Sequence, residues 1–175
     1  MPTNRPNNPQ DEHQPPHQNL EPALALIPRG LFIMTAAYDD RRLGLRVHFV
    51  QIAATEPPSV SVALPKGEPI SPLIRDSRAF GLCITAEDDR SIAKRFATSP
   101  HHDDQPHHDD PFHAFEPYTL ETGSPLLPRA AACLDCRVTM HLDVETDHEL
   151  YIAEVVGSKL PAEHKDPAVQ TGPNA

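Results

Sequence analysis

Long hydrophobic runs and basic residues are both scarce in this sequence. No apolar run approaches the roughly 20 residues of a membrane-spanning helix, and the opening residues, Met-Pro-Thr-Asn-Arg-Pro-Asn-Asn, lack the charged and then apolar pattern of a signal peptide. Only 15 Lys and Arg stand against 25 Asp and Glu, which gives a formal net charge of -10. Nucleic acids and anionic membranes attract clustered Lys and Arg. We therefore expect neither as a partner, and a cytoplasmic location.

Cysteine is scarce too, and its spacing argues against a redox or zinc site. Of the 3 cysteines, Cys133 and Cys136 form a Cys-x-x-Cys pattern. An offset of three places two strand side chains on opposite faces, whereas zinc knuckles and dithiols need both sulfurs on one side. We predict no metal site here, and we assign Cys83 and Cys136 to the core of a protein in a reducing compartment.

Proline, by contrast, is abundant, and its placement suggests the domain boundaries. Six of the 21 prolines fall in residues 1–22, together with many Asn and Gln. Such a segment has too little apolar surface to offset the entropy of ordering. We predict a disordered arm at 1–22, one domain at 23–160 and a polar C-terminal tail at 161–175.

Alternation of apolar and polar residues predicts several short strands. These lie at residues 31–37, 45–50, 60–64, 80–84 and 134–144, with a polar hairpin turn at 39–42. The last strand is expected to bury alternate residues, namely Leu134, Cys136, Val138, Met140, Leu142 and Val144. Asp88 or Asp89 is expected to cap a helix that packs by Ile92 and Phe96. Strands without β-α-β alternation indicate a mainly β, closed or partly closed antiparallel barrel.

One stretch of the predicted barrel has the residues of an anion site. Arg46 and His48 share one face of the strand predicted at 45–50. Lys66 and Gly67 then lead into a short helix, for which Ser71 is a candidate N-cap. A cation, free backbone N–H groups and a helix start suit a phosphate monoester. The alternative is a solvated turn.

Seven segments, taken in order, resemble the flavin-reductase-like family of FMN-binding split barrels. They are PRG at 28–30, EPPSVSV at 56–62, LIRDSRAF at 73–80, AKRFA at 93–97, ETGSPLL at 121–127, LDCRV at 134–138 and DHELYIAEV at 147–155. The resemblance implies an antiparallel Greek-key split β-barrel with a few short helices, and a homodimer. It also implies hydride transfer from nicotinamide C4 to flavin N5, with NAD(P)H as reductant and FMN, or alternatively FAD, as the flavin.

The resemblance also suggests site residues. His148, in the pair Asp147-His148, is the candidate for the catalytic role beside the flavin or the nicotinamide. The expected FMN contacts are Arg46, Val47, His48, Phe49 and Gln51, with Lys66, Gly67 and Ser71 for the phosphate. Members of the family usually carry small hydroxyl residues where this chain has Arg46, His48 and Phe49, so the site is a variant.

Two other functions stay open at this point. One is a flavin-binding electron carrier without NAD(P)H activity. The other is a flavin-free barrel that binds metal or a partner through the His/Asp-rich loop at 99–113, where a His-His-Asp-Asp unit occurs twice. The sequence leaves open the choice between NADH and NADPH, the acceptor, and whether a partner monooxygenase exists.

Overall fold

The computed structural model describes residues 20–97 and 110–170. Within these ranges, Arg29–Gln170 belong to one compact unit. A short helix, α1 (Leu20–Leu24), belongs to a separate unit and has no buried residue. Most of the arm expected at 1–22, and residues 99–109 of the expected His/Asp-rich loop, lie outside the described residues. No helix in the described ranges is long and apolar enough to cross a membrane.

Antiparallel strands make up most of the compact unit. The strands are β1 (Arg29–Gly30), β2 (Phe32–Tyr38), β3 (Arg41–Val47), β4 (Phe49–Thr55), β5 (Pro58–Pro65), β6 (Ala79–Ile84), β7 (Ala132–Asp143), β8 (His148–Lys159) and β9 (Val169–Gln170). Between them lie α2 (Ile70–Ser77), α3 (Arg90–Arg95) and a 3-10 helix at Pro111–Ala114. Seven strands form one sheet in the order β3-β2-β6-β7-β8-β5-β4, and β1 pairs with β9. The predicted mainly β, antiparallel fold is confirmed.

The sheet curls round because its two outermost strands follow each other in the chain. Only His48 separates β3 from β4, although these strands stand at opposite ends of the sheet order. Because consecutive Cα atoms are about 3.8 Å apart, the two edges must meet there. No backbone ladder joins β3 to β4 in the described ranges, which leaves a seam in the barrel. The single strand predicted at 45–50 is therefore wrong, since the chain passes from one edge to the other at His48.

The hairpin predicted between the first two long strands is confirmed, with a shorter turn. The turn is confined to Asp39 and Asp40, whose φ angles are 50° and 60°. Positive φ at both central positions is typical of a type I′ turn, which matches the twist of the flanking strands. Arg41 and Arg42, predicted in the turn, belong to β3 and pair with β2.

Buried residues form two hydrophobic clusters, one on each face of the central strands. The first lines the inner face of the barrel beneath α2, and it includes Met34, Leu64, Ile74, Phe80, Cys136 and Tyr151. The second packs beneath α3 and the 3-10 helix, and it includes Ile33, Cys83, Ile92, Phe96, Phe112 and Cys133. The predicted packing of α3 by Ile92 and Phe96 is confirmed. Cys133 and Cys136 lie in different clusters, which confirms that they occupy opposite faces of β7.

Cys83 and Cys133 face each other across β6 and β7. They are direct partners in the strand register, and their sulfur atoms are 3.5 Å apart. The thiol of Cys83 and, after it, the hydroxyl of Tyr118 lower the pKa of Cys133 to about 7 by hydrogen bonding, although burial opposes this. Burial raises the pKa of Cys83 well above its ordinary value. The sequence predicted a buried Cys83 but not this pairing.

Strand β7 departs from the strict alternation that the sequence predicted. Cys136 and Val138 are buried, but Met140 and Leu142 are 48% and 39% exposed. Asp135, predicted to face outward, is completely buried and accepts hydrogen bonds from the backbone N–H of Thr122 at 2.9 Å and from its hydroxyl. The register of β7 with β8 shifts between 135 and 136 and again between 138 and 140. Such bulges re-aim side chains, so a two-residue period does not persist along the strand.

The C-terminal segment, expected to be a polar tail from residue 161, is in part tied to the barrel. The N–H of Ala168 donates to the carbonyl of Thr85 at 2.9 Å, and the N–H of Leu31 donates to the carbonyl of Ala168 at 3.2 Å. Strand β9 pairs with β1. These backbone hydrogen bonds compensate for the small apolar surface of the segment, so the folded unit extends to residue 170.

Candidate functional site

A half-exposed aromatic ring, that of Phe49, lies at the centre of the candidate site. It is the first residue of β4 and is 48% exposed. The ring of His148 meets it in a T-shaped arrangement, with centroids 5.6 Å apart and planes at 73°. The guanidinium carbon of Arg29 lies 5.8 Å from the centroid of Phe49, within the range of a cation–π contact. Closure of the barrel brings these residues together from β4, β8 and β1.

The imidazole of His148 is oriented by its neighbour in the chain. Its Nδ1 lies 2.9 Å from Oδ1 of Asp147. This hydrogen bond lowers the pKa of the Asp147 carboxyl. Nε2 of His148 has no hydrogen-bond partner among the described residues, so it is the ring nitrogen that is available to a ligand.

His48 lies at the seam of the barrel and contacts β1. Its Nδ1 is 3.3 Å from the carbonyl oxygen of Gly30. Burial lowers the pKa of His48, and the charges of Arg46 and Arg29 lower it further, although the contact with Gly30 opposes this. His48 is therefore neutral at neutral pH, and the positive charge of this region comes from the arginines.

The predicted phosphate loop begins directly after β5. The backbone N–H of Lys66 donates to the carbonyl of Asp147 at 2.9 Å, which ties the loop to the turn that precedes His148. Nζ of Lys66 donates to Oδ1 of Asp143 at 2.5 Å. Gly67 has a φ of 85° and open space where a Cβ would be, so its backbone can come close to a ligand. The loop thus offers a cation and accessible backbone, but a carboxylate already holds the cation.

Ser71 is not the N-cap that the sequence predicted. Helix α2 begins at Ile70, Pro69 occupies the cap position, and no side chain caps the helix. Ser71 lies in the first turn, and its hydroxyl donates to Oε1 of Glu149 at 2.5 Å. Oε2 of Glu149 lies 2.7 Å from Nε2 of His141. The prediction failed because the hydroxyl of Ser71 bonds to Glu149, which is 78 residues away in sequence. No local pattern shows such a partner.

The remaining predicted contacts are not gathered at one point. The side chain of Val47 is buried in the barrel core, so only its backbone is available to a ligand. Gln51 is exposed on β4, on the same face as Phe49. Arg46 lies on the other side of the seam, where it lines a cavity with Lys94 of α3. The predicted set therefore divides between the cluster around Phe49 and His148, the loop of Lys66 and Ser71, and the cavity at Arg46.

Arg29, Asp143 and Glu149 contribute to the site, although none of them was predicted as a site residue. Arg29 belongs to the segment PRG at 28–30. It becomes part of the site only because β4 brings Phe49 next to it. Asp143 and Glu149 lie on β7 and β8, and they reach the phosphate loop only through strand pairing. Acidic residues opposite a predicted phosphate loop give no local signal.

The residues present fit a flavin. A half-exposed aromatic ring with an adjacent imidazole and guanidinium can accept a flat heteroaromatic ring system. The open space at Gly67 and the amine of Lys66 can accept a phosphate. The acidic partners of Lys66 and Ser71 compete with an anion for the same donors. These acidic partners should lower the affinity for a phosphate but do not block access to it.

The geometry agrees with the family to which the sequence belongs. The chain matches the family described as flavin reductase like domain over residues 24–171, and it is a member of that family. The structure of an NADH:FAD oxidoreductase from Streptomyces globisporus C-1027 superposes with a TM-score of 0.75 at 20% identity, over 98% of this chain and 96% of that one. At this identity the likeness shows the fold, a flavin-reductase barrel.

The matches to curated relatives cover only part of each relative's length. An NADPH-flavin oxidoreductase of Streptomyces viridifaciens is 26% identical over 76% of this chain and 67% of its own length. The reductase component of a 4-nitrophenol 4-monooxygenase/4-nitrocatechol 2-monooxygenase from Rhodococcus opacus is 33% identical over 73% of this chain and 63% of its own. The chain spans only 25% of a diflavin flavoprotein of Synechocystis.

Proposed function

We propose that this chain is a flavin reductase that binds FMN at the Phe49 and His148 cluster and reduces it with NAD(P)H. The observation that carries the proposal is the T-shaped contact of the two rings at 5.6 Å, with Arg29 beside Phe49. FAD is the alternative flavin. A bound flavin would supply the redox chemistry of hydride transfer from the nicotinamide.

The side chains of the site bind and orient. Phe49 offers an apolar surface that a flat ring can cover. Asp147 fixes Nδ1 of His148, so that Nε2 can donate to or accept from a ligand atom. Lys66, Gly67 and Ser71 hold the phosphate, and His48 and Gln51 border the ring. No acid–base pair is needed, because the main task of the protein is to hold nicotinamide C4 close to flavin N5.

The experiment is an absorbance spectrum after adding FMN and desalting, followed by anaerobic NADH and, separately, NADPH. Wild-type protein should retain oxidised-flavin bands that bleach with one or both reductants. Phe49→Ala should lose most of the flavin on desalting, since a stacked aromatic contact is worth about a tenfold change in affinity. Tyr38→Ala is the matched control, because Tyr38 is equally exposed (49%) but lies at the β2–β3 turn.

His148→Asn separates positioning from binding. It should keep the flavin but slow bleaching about tenfold or more, because the nicotinamide and the flavin are then less well oriented. A wild-type protein that stays colourless would contradict the proposal. Retained flavin that neither reductant bleaches would select the electron-carrier alternative. The metal-binding alternative depends on the loop at 99–113, most of which lies outside the described residues, and deletion of 101–110 should leave flavin retention unchanged.

We also propose that the protein is a homodimer, with a second copy on the outer face of β4, β5, β8 and β7. Direct strand partners form an apolar row across this face, consisting of Phe49, Ala63, Leu150 and Leu142. Opposite residues on antiparallel strands point to the same face. Phe49, Leu142 and the nearby Met140 are each more than a third exposed, and exposed apolar patches mark interaction surfaces.

Analytical ultracentrifugation tests the dimer. Met140→Lys and Leu142→Lys should shift the protein from dimer to monomer, because each places a charge in the apolar face. Leu160→Lys is the control, since Leu160 is 74% exposed and lies beyond β8. A wild-type protein that sediments as a monomer at all concentrations would contradict the dimer.

The acceptor of the reduced flavin is a further proposal. The Rhodococcus relative is named as a monooxygenase reductase component, which supports a partner monooxygenase for this chain. The test is transfer of reduced flavin to a separately purified monooxygenase, measured by oxygen-dependent substrate turnover. A cytoplasmic location stays a prediction from the sequence.

A further inference from the structure

Cys83 and Cys133 form a pair of free thiols that the proposed flavin site does not use. Both are buried, with 0% and 2% of their surface exposed, and both belong to the hydrophobic cluster beneath α3. Their sulfur atoms lie 3.5 Å apart. Cys136, the third cysteine, belongs to the other cluster, on the opposite face of β7. Two of the three thiols are therefore held together, and the third is kept apart from them.

The pairing of β6 with β7 sets the backbone distance between the two cysteines. The N–H of Val138 donates to the carbonyl of Arg78 at 2.9 Å, so these residues form a hydrogen-bonded pair. Hydrogen-bonded and non-hydrogen-bonded pairs alternate along an antiparallel ladder. Cys83 and Cys133, five positions further along each strand, are therefore a non-hydrogen-bonded pair.

This kind of pair suits a disulfide. Cα atoms in a non-hydrogen-bonded pair are about 4.5 Å apart, and the side chains are closer than in a hydrogen-bonded pair. Disulfides join Cα atoms that are about 4.4–6.8 Å apart. The strands thus already hold Cys83 and Cys133 at a distance that a disulfide accepts, and only the two sulfur atoms have to approach each other.

Polar groups surround the sulfur of Cys133, although it is buried. It lies 3.3 Å from the carbonyl oxygen of Leu127. The hydrogen bond from Cys83 lowers the pKa of Cys133 to about 7, and the hydroxyl of Tyr118 and the charge of Lys159 act in the same direction, against burial. Burial raises the pKa of Cys83. Because the thiolate is the reactive form, Cys133 is the nucleophile of the pair and Cys83 is the second thiol.

Tyr118 lies between this sulfur and the surface. Its hydroxyl contacts Cys133, its ring is half-buried, and the amine of the exposed Lys159 lies 4.3 Å from the centroid of the ring. A rotation of the ring would uncover the sulfur to a molecule as small as hydrogen peroxide, but not to a large electrophile or to a thiol of another protein. The oxidant that fits the site is therefore a small peroxide.

We propose that Cys83 and Cys133 are a reversible oxidation site, which a peroxide converts into a disulfide between β6 and β7. The sulfur of Cys133 attacks one oxygen of the peroxide, the O–O bond breaks, and Cys133 becomes a sulfenic acid while the other oxygen leaves as water with the proton of Cys133. The sulfur of Cys83 then attacks the sulfur of Cys133, the S–O bond breaks, and that oxygen leaves as a second water with the proton of Cys83.

Two thiols and one hydrogen peroxide thus give one disulfide and two waters. A small dithiol such as dithiothreitol reverses the step by thiol–disulfide exchange and is itself oxidised to a disulfide. The inference does not depend on the proposed function, because the oxidation uses neither flavin nor nicotinamide.

Thiol counting by mass spectrometry tests the site. The full chain is treated under native conditions with hydrogen peroxide, the excess is removed with catalase, and the protein is then unfolded in iodoacetamide. Untreated wild type should be alkylated at all 3 cysteines. Treated wild type should be alkylated at one cysteine only, and dithiothreitol added before the alkylation should restore the other two.

Tryptic peptides identify the partners. Cleavage after arginine releases residues 79–90, which contain Cys83, and residues 130–137, which contain Cys133 and Cys136. The treated protein should yield these two peptides joined by a disulfide, with the alkyl group on Cys136. This measurement uses the wild-type chain, so it does not depend on the folding of any variant.

Cys136→Ala is the matched control for the two cysteines of the pair. It should still form the disulfide, whereas Cys83→Ala and Cys133→Ala should form none. Three alkylated cysteines in treated wild type would overturn the proposal. A disulfide that includes Cys136, or a sulfinic acid at Cys133 beside an alkylated Cys83, would overturn it as well.

Discussion

Lys66 and Asp143 form an ion pair at the mouth of the predicted phosphate loop, with 2.5 Å between Nζ and Oδ1. The hydrogen bond from Lys66 lowers the pKa of the Asp143 carboxyl. The carboxylate of Asp143 therefore competes with a phosphate for the amine of Lys66. The pair provides a way to test whether Lys66 faces the ligand.

Asp143→Asn should tighten FMN binding roughly two- to fivefold, because it releases Lys66 from a partly exposed ion pair of modest strength. Fluorescence titration of FMN measures the change. Asp76→Asn is the control, since it removes an acidic charge from α2, where its contact with Arg75 is longer at 3.7 Å. Weaker FMN binding in Asp143→Asn would mean that the carboxylate positions Lys66 for the ligand instead of competing with it.

Asp135 on β7 is flanked by a glycine on each neighbouring strand, Gly81 on β6 and Gly157 on β8. A Cβ at Gly81 would lie 2.4 Å from Oγ1 of Thr35 and 3.0 Å from the carbonyl oxygen of Pro125, whereas a Cβ at Gly157 would meet nothing closer than 3.4 Å. Gly81→Ala should therefore cost about 1–3 kcal/mol of unfolding free energy through overpacking.

Gly157→Ala is the matched control, and it should change stability by less than about 1 kcal/mol, since the methyl group fits and the unfolded chain loses freedom. Urea unfolding followed by circular dichroism gives both values. Equal losses in the two variants would show that the contacts of Gly81 with Thr35 and Pro125 can relax.

The Cys83 and Cys133 pair predicts a pH dependence of stability. The folded protein lowers the pKa of Cys133 to about 7 from its ordinary 9.0, so between these values the folded chain binds fewer protons than the unfolded chain. Stability from this group should rise with pH across that interval, by at most about 1.4 kcal/mol per unit. Above it, the raised pKa of Cys83 acts in the opposite direction.

Urea unfolding under reducing conditions between about pH 6 and pH 9 measures this rise. Cys133→Ala should remove it. Cys136→Ala should keep it, because burial raises the pKa of Cys136 to about 12, outside the interval. The same slope in wild type and Cys133→Ala would mean that Cys133 stays protonated.

Local alternation predicted the parts of the fold that depend on neighbours in sequence. The hairpin at Asp39 and Asp40, strands β5 and β6, and the packing of Ile92 and Phe96 all follow from residues within a few positions of each other. The break at His48 does not, because apolar residues continue to alternate through it. Its cause is the closure of the sheet, which involves every strand of the barrel.

The residues of the candidate site stay predictions, and their arrangement depends on strand pairing. Phe49 and His148, both named as site residues from the family resemblance, lie 5.6 Å apart because β4 and β8 both pair with β5. The prediction of Ser71 as an N-cap was wrong, because its hydroxyl donates to Glu149 instead. Arg46 was assigned to the flavin phosphate, yet its place on β3 directs it to the cavity with Lys94. Long-range pairing decides each of these cases.

The connection through His48 has a consequence for how the protein could be cut and rejoined. A chain opened at this residue would hold β3 and β4 at its two new ends, on either side of a seam that carries no backbone ladder in the described ranges. Every strand pairing of the barrel would survive the cut, but nothing covalent would hold the edges together. Arg46 and Phe49, which the intact chain joins through two residues, would then be held in place only by the strands that carry them.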